Sequence, residues 1–116
     1  MLNKAQVIGN LGNDPKISLI NNNQTKVANF TVATTERGYT SQDGIYVQGK
    51  TEWHNIVCFG KLADVISRYT KKGSRIFIEG KMRTRSYVDN NGIKRNIMEI
   101  NAENVVLLDN RNMQQQ

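Results

Sequence analysis

Short segments of β-strand character fill most of this chain, and turn residues separate them. The segments are rich in β-branched residues or alternate polar and apolar side chains, which is the pattern of strands. They span residues 2–8, 16–20, 25–36, 51–59, 75–88 and 94–108. With 116 residues, such a chain has room for one domain with one modest core.

Glycine and asparagine mark where the strands bend or turn. We expect residues 9–15 to interrupt regular structure, because they contain two glycines and a proline. Asparagines 21–23 predict a turn with left-handed backbone angles. Asp43-Gly44 predicts the turn of a long polar hairpin loop, and residues 89–92 predict a second hairpin. Gly80 is expected to bend or divide the segment in which it lies.

One amphipathic helix is predicted after Gly60. Its apolar stripe consists of Leu62, Val65, Ile66 and Tyr69. Lysines 71 and 72 suit the C-terminal end of the helix dipole, and Gly73 is expected to cap the helix. About five strands, with one helix between the third and fourth, are the element order of an OB-fold, a five-stranded Greek-key β-barrel. We therefore predict an all-β OB-fold domain over residues 1–108 and a polar tail over 109–116.

The sequence gives little support for a metal site or a catalytic site, because both depend on clustered ligands or nucleophiles. The chain has one cysteine and one histidine, whereas a zinc site of these residues needs about four ligands. Cys58 lies in an apolar run and is predicted to be a small core residue. Neither a Walker loop nor a GxGxxG motif is present, and the aspartates are scattered. We therefore expect no enzyme activity, metal site or cofactor.

The start of the chain predicts its location. Residues 1–6 have neither an apolar signal core nor the composition of a transit peptide, and no apolar run approaches the length of a membrane span. We expect the protein to stay in the cytoplasm, associated with the nucleoid if it binds DNA.

Positive charge is concentrated in one stretch. The whole chain carries a net charge of +6, and residues 71–95 hold eight Lys and Arg side chains against Glu79 and Asp89. Basic side chains laid on phosphates release condensed counterions, so this balance favours a polyanionic partner.

Aromatic rings accompany these charges. Trp53 and Phe59 lie six residues apart on one predicted strand, so their side chains share a face with Asn55. That face is either a platform on which bases stack or part of the core. Arg83 and Arg85 share another strand face with Tyr87, which suits a phosphate backbone with a base beside it, although a solvated charged strand has the same pattern.

Seven regions, in this order, resemble bacterial single-stranded DNA-binding proteins. They are Asn3-Lys4 with residues 8–12 and 14–15, residues 27–30, Thr51-Glu52-Trp53-His54, residues 59–63, residues 72–74, residues 78–80 and residues 83–87. The resemblance covers about residues 3–108. It implies an OB-fold protomer, a homotetramer, and DNA wrapped without sequence preference in replication, recombination and repair.

The resemblance also implies roles for particular residues. The stacking aromatics correspond to Trp53, Phe59 and Tyr87, where the last position often holds Trp in the family. Tyr39 is the candidate loop aromatic, because Gly38 occupies the family's usual position. The implied backbone contacts are Lys4, Lys61, Lys72, Arg83, Arg85 and Arg95.

His54 is expected to lie at a subunit contact. By strand alternation it faces away from Trp53, together with Ile56 and Cys58. The contact itself follows from the resemblance, and the alternative is a histidine hydrogen-bonded within its own protomer at the barrel wall.

Other functions stay open at this point. Family members end in an acidic tip that recruits replication and repair proteins, whereas this chain ends in Gln114-Gln115-Gln116. The alternatives are a specialised OB-fold replication accessory, such as a primosomal, plasmid or phage relative, and an RNA-binding OB protein. A pure assembly module would have little use for the rings and arginines described above.

Overall fold

The computed structural model describes residues 1–109, which form eight strands and one helix. The elements are β1 (Ala5–Leu11), β2 (Lys16–Ile20), β3 (Thr25–Glu36), β4 (Tyr39–Thr40), β5 (Tyr46–Val47), β6 (Lys50–Phe59), α1 (Lys61–Tyr69), β7 (Arg75–Val88) and β8 (Lys94–Leu107). Residues 110–116, most of the predicted tail, lie outside the described part. Asp109 was grouped with that tail, but its Oδ1 accepts a hydrogen bond of 2.8 Å from the backbone N–H of Arg75.

Five of the strands close a ring in the order β1, β7, β8, β6, β3 and back to β1. Neighbours in the ring are antiparallel except for β6 and β8, which pair in parallel. Strand β2 pairs with β3 outside the ring. In chain order α1 falls between the third and fourth ring strands. The predicted OB-fold is therefore confirmed.

The expected break at residues 9–15 is wrong over its first part. Strand β1 continues through Leu11, and Asn10 and Leu11 pair with β3 to close the ring. A Cβ atom on Gly9 would lie 2.2 Å from the carbonyl oxygen of Ala33. Glycine is needed here because two backbones approach each other closely, not because the chain bends.

Inward-facing residues of the ring build the core. Alternate residues of β3 and β6 are buried, and so are Ile76 and Ile78 of β7. The buried inward-facing residues of β3 and β6 are Leu-sized or smaller except for Phe30: Ala28, Phe30, Val32, Ile56 and Cys58. Val27, at the start of β3, is buried as well. Each fully buried aliphatic side chain contributes roughly 1.5–3 kcal/mol to the stability of the barrel.

The helix closes the core with part of the predicted stripe: Ile66 is buried and Leu62 packs against the core, but Ala63 joins them and Tyr69 does not. Ala63 and Ile66 are fully buried, whereas Tyr69 is 53% exposed. The capping prediction for Gly73 is also wrong, because the helix ends at Tyr69 with Thr70 as its C-cap. Gly73 instead has a φ of 92° in the turn after the helix, and its N–H donates to the carbonyl of Leu11 at 2.8 Å. It ties that turn to β1.

The predicted turns are confirmed. Asn21, Asn22 and Asn23 have φ values of 53°, 57° and 68°. Gly44 has a φ of 79° in a turn whose flanks form the short β4–β5 ladder, which the sequence did not predict. At the other hairpin, Asp89 Oδ1 accepts backbone hydrogen bonds from Asn91 and Ile93, both at 2.9 Å.

The β7–β8 hairpin extends beyond the core. Its register shifts between Glu79 and Gly80, where the sequence predicted a bend, although β7 is a single strand. Every residue of β7 from Lys81 to Val88 is exposed. The far half of this hairpin is therefore an arm held mainly by strand pairing.

Among residues 1–109, no helix combines the length and the apolar character needed to cross a bilayer.

The core position of Cys58 predicts slow thiol chemistry. Its side chain is fully buried, and burial raises the pKa of the thiol to about 11. Since the thiolate is the reactive form, a disulfide reagent near neutral pH should label the native protein slowly. After unfolding in guanidinium the same reagent should label one thiol quickly. Fast labelling of the native protein would contradict the buried position.

Candidate nucleic-acid interface

The outward faces of β3 and β6 form the floor of a surface groove. The two strands pair antiparallel over ten residues each, so their outward side chains stand opposite one another. The opposed pairs are Val27 with Phe59, Asn29 with Val57, Thr31 with Asn55, and Ala33 with Trp53. Along the two strands, the outward side chains of Asn29, Thr31 and Asn55 alternate with inward core residues.

Strand β2 forms one wall of this groove, and the β7–β8 hairpin forms the other. Two cavities of about 530 and 600 Å³ lie between these walls. Both are lined by Ser18 of β2, Asn29 of the floor, and Arg85 and Glu99 of the hairpin. Because they share these residues, the two cavities are parts of one groove.

The aromatic side chains are exposed along the floor and beside it. Trp53 is 59% exposed and Phe59 is 43% exposed, whereas Ile56 and Cys58 are buried, so the predicted division of the two faces of this strand is confirmed. Phe59 lines the groove directly. Six residues of extended strand place the two rings roughly 20 Å apart. That separation leaves room for several bases between them.

The loop before β2 supports Trp53. A Cβ atom on Gly12 would lie 2.3 Å from Cζ3 of Trp53, so the ring lies against the backbone there. Asn13 Oδ1 accepts hydrogen bonds from both the backbone N–H and the hydroxyl of Thr31, at 3.0 and 2.8 Å. These bonds fix the loop to the groove floor and thereby fix the surface on which the ring rests.

Arg83 and Arg85 both line the groove, as their alternation along β7 predicts. Arg85 donates to both carboxylate oxygens of Glu99, at 3.2 and 3.0 Å, and Glu99 raises the pKa of this guanidinium. The Arg85 guanidinium carbon lies 5.8 Å from the centre of the Tyr87 ring. Among residues 1–109, no carboxylate lies within ion-pair distance of Arg83.

Several predicted contact residues lie outside the two groove cavities. Lys4 is 3.8 Å from Glu79, and Arg95 is 2.9 Å from Asp89 at the tip of the hairpin. The predicted contacts that line neither cavity are Lys4, Lys61, Lys72, Arg95, Tyr39, Tyr87 and Trp53. Tyr39 is 60% exposed in the β4–β5 hairpin, and Tyr87 is 42% exposed beside Arg85.

Some groove residues were missed from the sequence. Asn29 and Thr31 alternate with the buried residues Ala28 and Phe30. The same alternation assigned Trp53 to the outward face of its strand, and it could have identified these two groove residues as well. Residues 16–20 alternate polar and apolar side chains, which predicts a half-buried strand, but all five are exposed. Their strand covers no core because it lies outside the ring.

Within residues 1–109, no group of three or more His, Cys, Asp or Glu side chains is placed to hold a metal ion.

Exposed aromatic rings and arginines along one groove of an OB barrel are the features of oligonucleotide-binding proteins of this fold. The model of the single-strand binding protein family matches residues 2–108. This chain belongs to that family.

Individual relatives agree with this assignment. A single-stranded DNA-binding protein of Bacteroides thetaiotaomicron is 44% identical over 107 residues, which are 92% of this chain and 66% of the relative. Single-stranded DNA-binding protein 1 of Chlorobaculum tepidum is 46% identical over 108 residues, covering 92% and 65%. The chain thus spans slightly under two thirds of the length of these relatives.

A solved structure has the same fold. The Plasmodium falciparum SSB in complex with ssDNA superposes with a TM-score of 0.81 at 33% sequence identity. The match covers 94% of this chain and 97% of that one.

The exposure of Trp53 predicts that its ring can be removed without loss of the fold. Trp53→Ala should lower the free energy of unfolding by no more than about 1 kcal/mol, as surface substitutions do. Ile56→Ala on the same strand is the matched control and should cost about 2–5 kcal/mol, because Ile56 is buried. Guanidinium unfolding followed by circular dichroism measures both. Equal losses would place Trp53 in the core.

Proposed function

We propose that this protein binds single-stranded DNA without sequence preference and without catalysis. The observation that carries the proposal is the groove between β2 and the β7–β8 hairpin, which Phe59 and Arg83 line, with Trp53 exposed farther along the same strand as Phe59. Within residues 1–109, Arg83 has no acidic partner. In this proposal the protein coats and protects strands exposed during replication, recombination and repair.

Stacking explains the preference for a single strand. Bases must leave a duplex before their faces can meet Trp53, Phe59 or Tyr87, whereas in a single strand they are already free. Every base has a π-face, so such contacts tolerate any sequence, and each is worth roughly 1–3 kcal/mol. The complex of the Plasmodium falciparum relative with ssDNA supports this preference.

Basic side chains supply the electrostatic part of binding. Arg83 lies in the groove, and Lys61 follows the ring of Phe59 by two residues. Lys4, Lys72 and Arg95 are proposed to contact the strand where it continues around the barrel. When Lys4 or Arg95 turns to a phosphate, its carboxylate keeps other hydrogen-bond donors: Gln6 on Glu79, and the backbone N–H groups of Asn91 and Ile93 on Asp89.

The proposed assembly is a homotetramer, and β1 supports it. This strand pairs with β7 along its length but with β3 only at Asn10 and Leu11, so one edge is unpaired over residues 5–9 within the described chain. Ile8 on this strand is 52% exposed. Unpaired edges with apolar side chains are usually covered, and a second copy of β1 would cover this one.

His54 is proposed to lie at this subunit contact. Its ring borders a cavity of about 260 Å³ that is also lined by Ala5, Val7 and Met82. His54 Nε2 lies 2.9 Å from the hydroxyl oxygen of Thr34, which fixes the ring within its own chain. The apolar cavity beside β1 is the surface that a neighbouring copy would fill.

The place of action follows from the proposed ligand. We place the protein in the cytoplasm, on exposed strands of nucleoid DNA. Replication and repair proteins are its proposed protein partners.

Binding to three kinds of nucleic acid tests the proposal directly. Trp53 fluorescence should be quenched strongly by single-stranded DNA, because a stacked base contacts the chain's one tryptophan. Duplex DNA of the same length should bind weakly. Equal affinity for duplex and single strand would refute the proposal, and tighter binding of RNA would favour an RNA-binding function instead.

Salt dependence tests the role of Arg83. Binding should weaken steeply with salt, and Arg83→Ala should lower the magnitude of the log–log salt slope by about 0.7, the value of one phosphate on a single strand. Arg68→Ala removes the same charge from the helix, where Arg68 pairs with Asp64, and should leave the slope unchanged. Equal slopes for both variants and the wild type would exclude a phosphate contact at Arg83.

Assembly is tested by sedimentation equilibrium. The wild type should be a tetramer at micromolar concentration, and His54→Tyr should dissociate more readily because a larger ring must fit the cavity beside β1. A wild-type monomer would refute the tetramer. A variant that assembles as tightly as the wild type would remove His54 from the contact and leave the DNA-binding proposal intact.

A further inference from the structure

Glu99 occupies an unusual place for a carboxylate in a groove that takes a polyanion. It lines both groove cavities and also the smaller cavity beside Trp53 and His54. Its side chain is only 11% exposed. Among the described residues that line the two groove cavities, Glu99 is the sole acid. A phosphate entering the groove therefore meets this negative charge.

Arg85 neutralises that charge in the free protein. Its Nε and Nη2 groups donate to the two different oxygens of Glu99, the fork geometry that a phosphate would otherwise accept. If Arg85 moved to a phosphate, the carboxylate of Glu99 would be left shielded from water and next to the phosphate. Leaving such a charge without its partner is costly, so the pair should persist when a strand is bound.

Arg83 is in the opposite situation. It stands directly across the ladder from Glu99, yet the carboxylate bonds Arg85 instead. Among residues 1–109, Arg83 has no acidic partner, so binding a phosphate breaks no existing ion pair. The two arginines of this row therefore differ in their ion pairing although the sequence makes them look equivalent.

We infer that Glu99 limits the affinity of the groove for single-stranded DNA, with Arg85 as its counterion and Arg83 as the phosphate ligand. The inference rests on the proposed DNA-binding function. Its consequence is a groove that holds a strand less tightly than its positive charge would suggest.

A double-mutant cycle on Arg85 and Glu99 tests the assignment, with oligo-dT as the probe and Trp53 fluorescence as the signal. Arg85→Ala should weaken binding about tenfold, because Glu99 loses its charge-assisted partner and repels the strand. The double variant R85A/E99Q should return to within about threefold of the wild type. Its salt slope should equal the wild-type slope, since no phosphate contact is lost.

Glu99→Gln alone gives an independent measurement if Arg85→Ala folds poorly. This variant should bind more tightly than the wild type, and its salt slope should grow by about 0.7, because Arg85 becomes free to bind a phosphate. Glu103→Gln is the matched control: Glu103 lies on the same strand, pairs with Lys81 at 3.8 Å and lines neither groove cavity. It changes the net charge equally and should leave affinity near the wild-type value.

Two results would overturn the inference. One is an R85A/E99Q protein that stays as weak as Arg85→Ala with a slope smaller by about 0.7, since Arg85 itself would then bind a phosphate. The other is a Glu99→Gln protein that binds no more tightly than Glu103→Gln. A wild type that fails to bind oligo-dT would refute the proposed function, and this inference with it, and is distinct from either result.

Discussion

The antiparallel ladder between β3 and β6 determines both the stability and the function of this molecule. Its ten residue pairs hold two sets of side chains at once, because successive side chains of a strand point to opposite faces. The inward set supplies the aliphatic and aromatic residues of the core, and the outward set supplies the groove floor. A shift of one residue in this register would put Trp53 in the core and Ile56 in the groove. The fold and the binding surface are therefore specified by the same alternation.

Much of this arrangement is readable from the sequence because it depends on local rules. Alternation separated Trp53 and Phe59 from Ile56 and Cys58, and the asparagine and glycine turns lie where their backbone preferences predict. The order of strands and helix suggested the barrel, and the family resemblance supported it. These features need no knowledge of which distant segments meet.

The errors arise where distant segments meet. Gly9 was interpreted as a bend because glycine permits both a bend and a close approach, and only the position of Ala33 decides between them. The burial of residues 16–20 was overestimated because pairing on the outside of a ring leaves no core to cover. Arg85 and Glu99 are 14 positions apart, and their bond depends on the register of β7 with β8, which no local pattern contains. The charge of the groove could therefore be predicted in sign but not in distribution.

The arm of the β7–β8 hairpin has a consequence for how this surface can change during evolution. From Lys81 to Val88 the strand is exposed, and the core residues of β7 all precede that stretch. Substitutions on the arm alter one wall of the groove while removing almost no buried apolar area, so they cost little folding free energy. The centre of the floor has less freedom, because Asn29, Thr31 and Val57 each lie between two core residues. Divergence in ligand preference can accumulate on the arm in steps that the barrel tolerates, whereas the centre of the floor can change only within the limits of the core behind it.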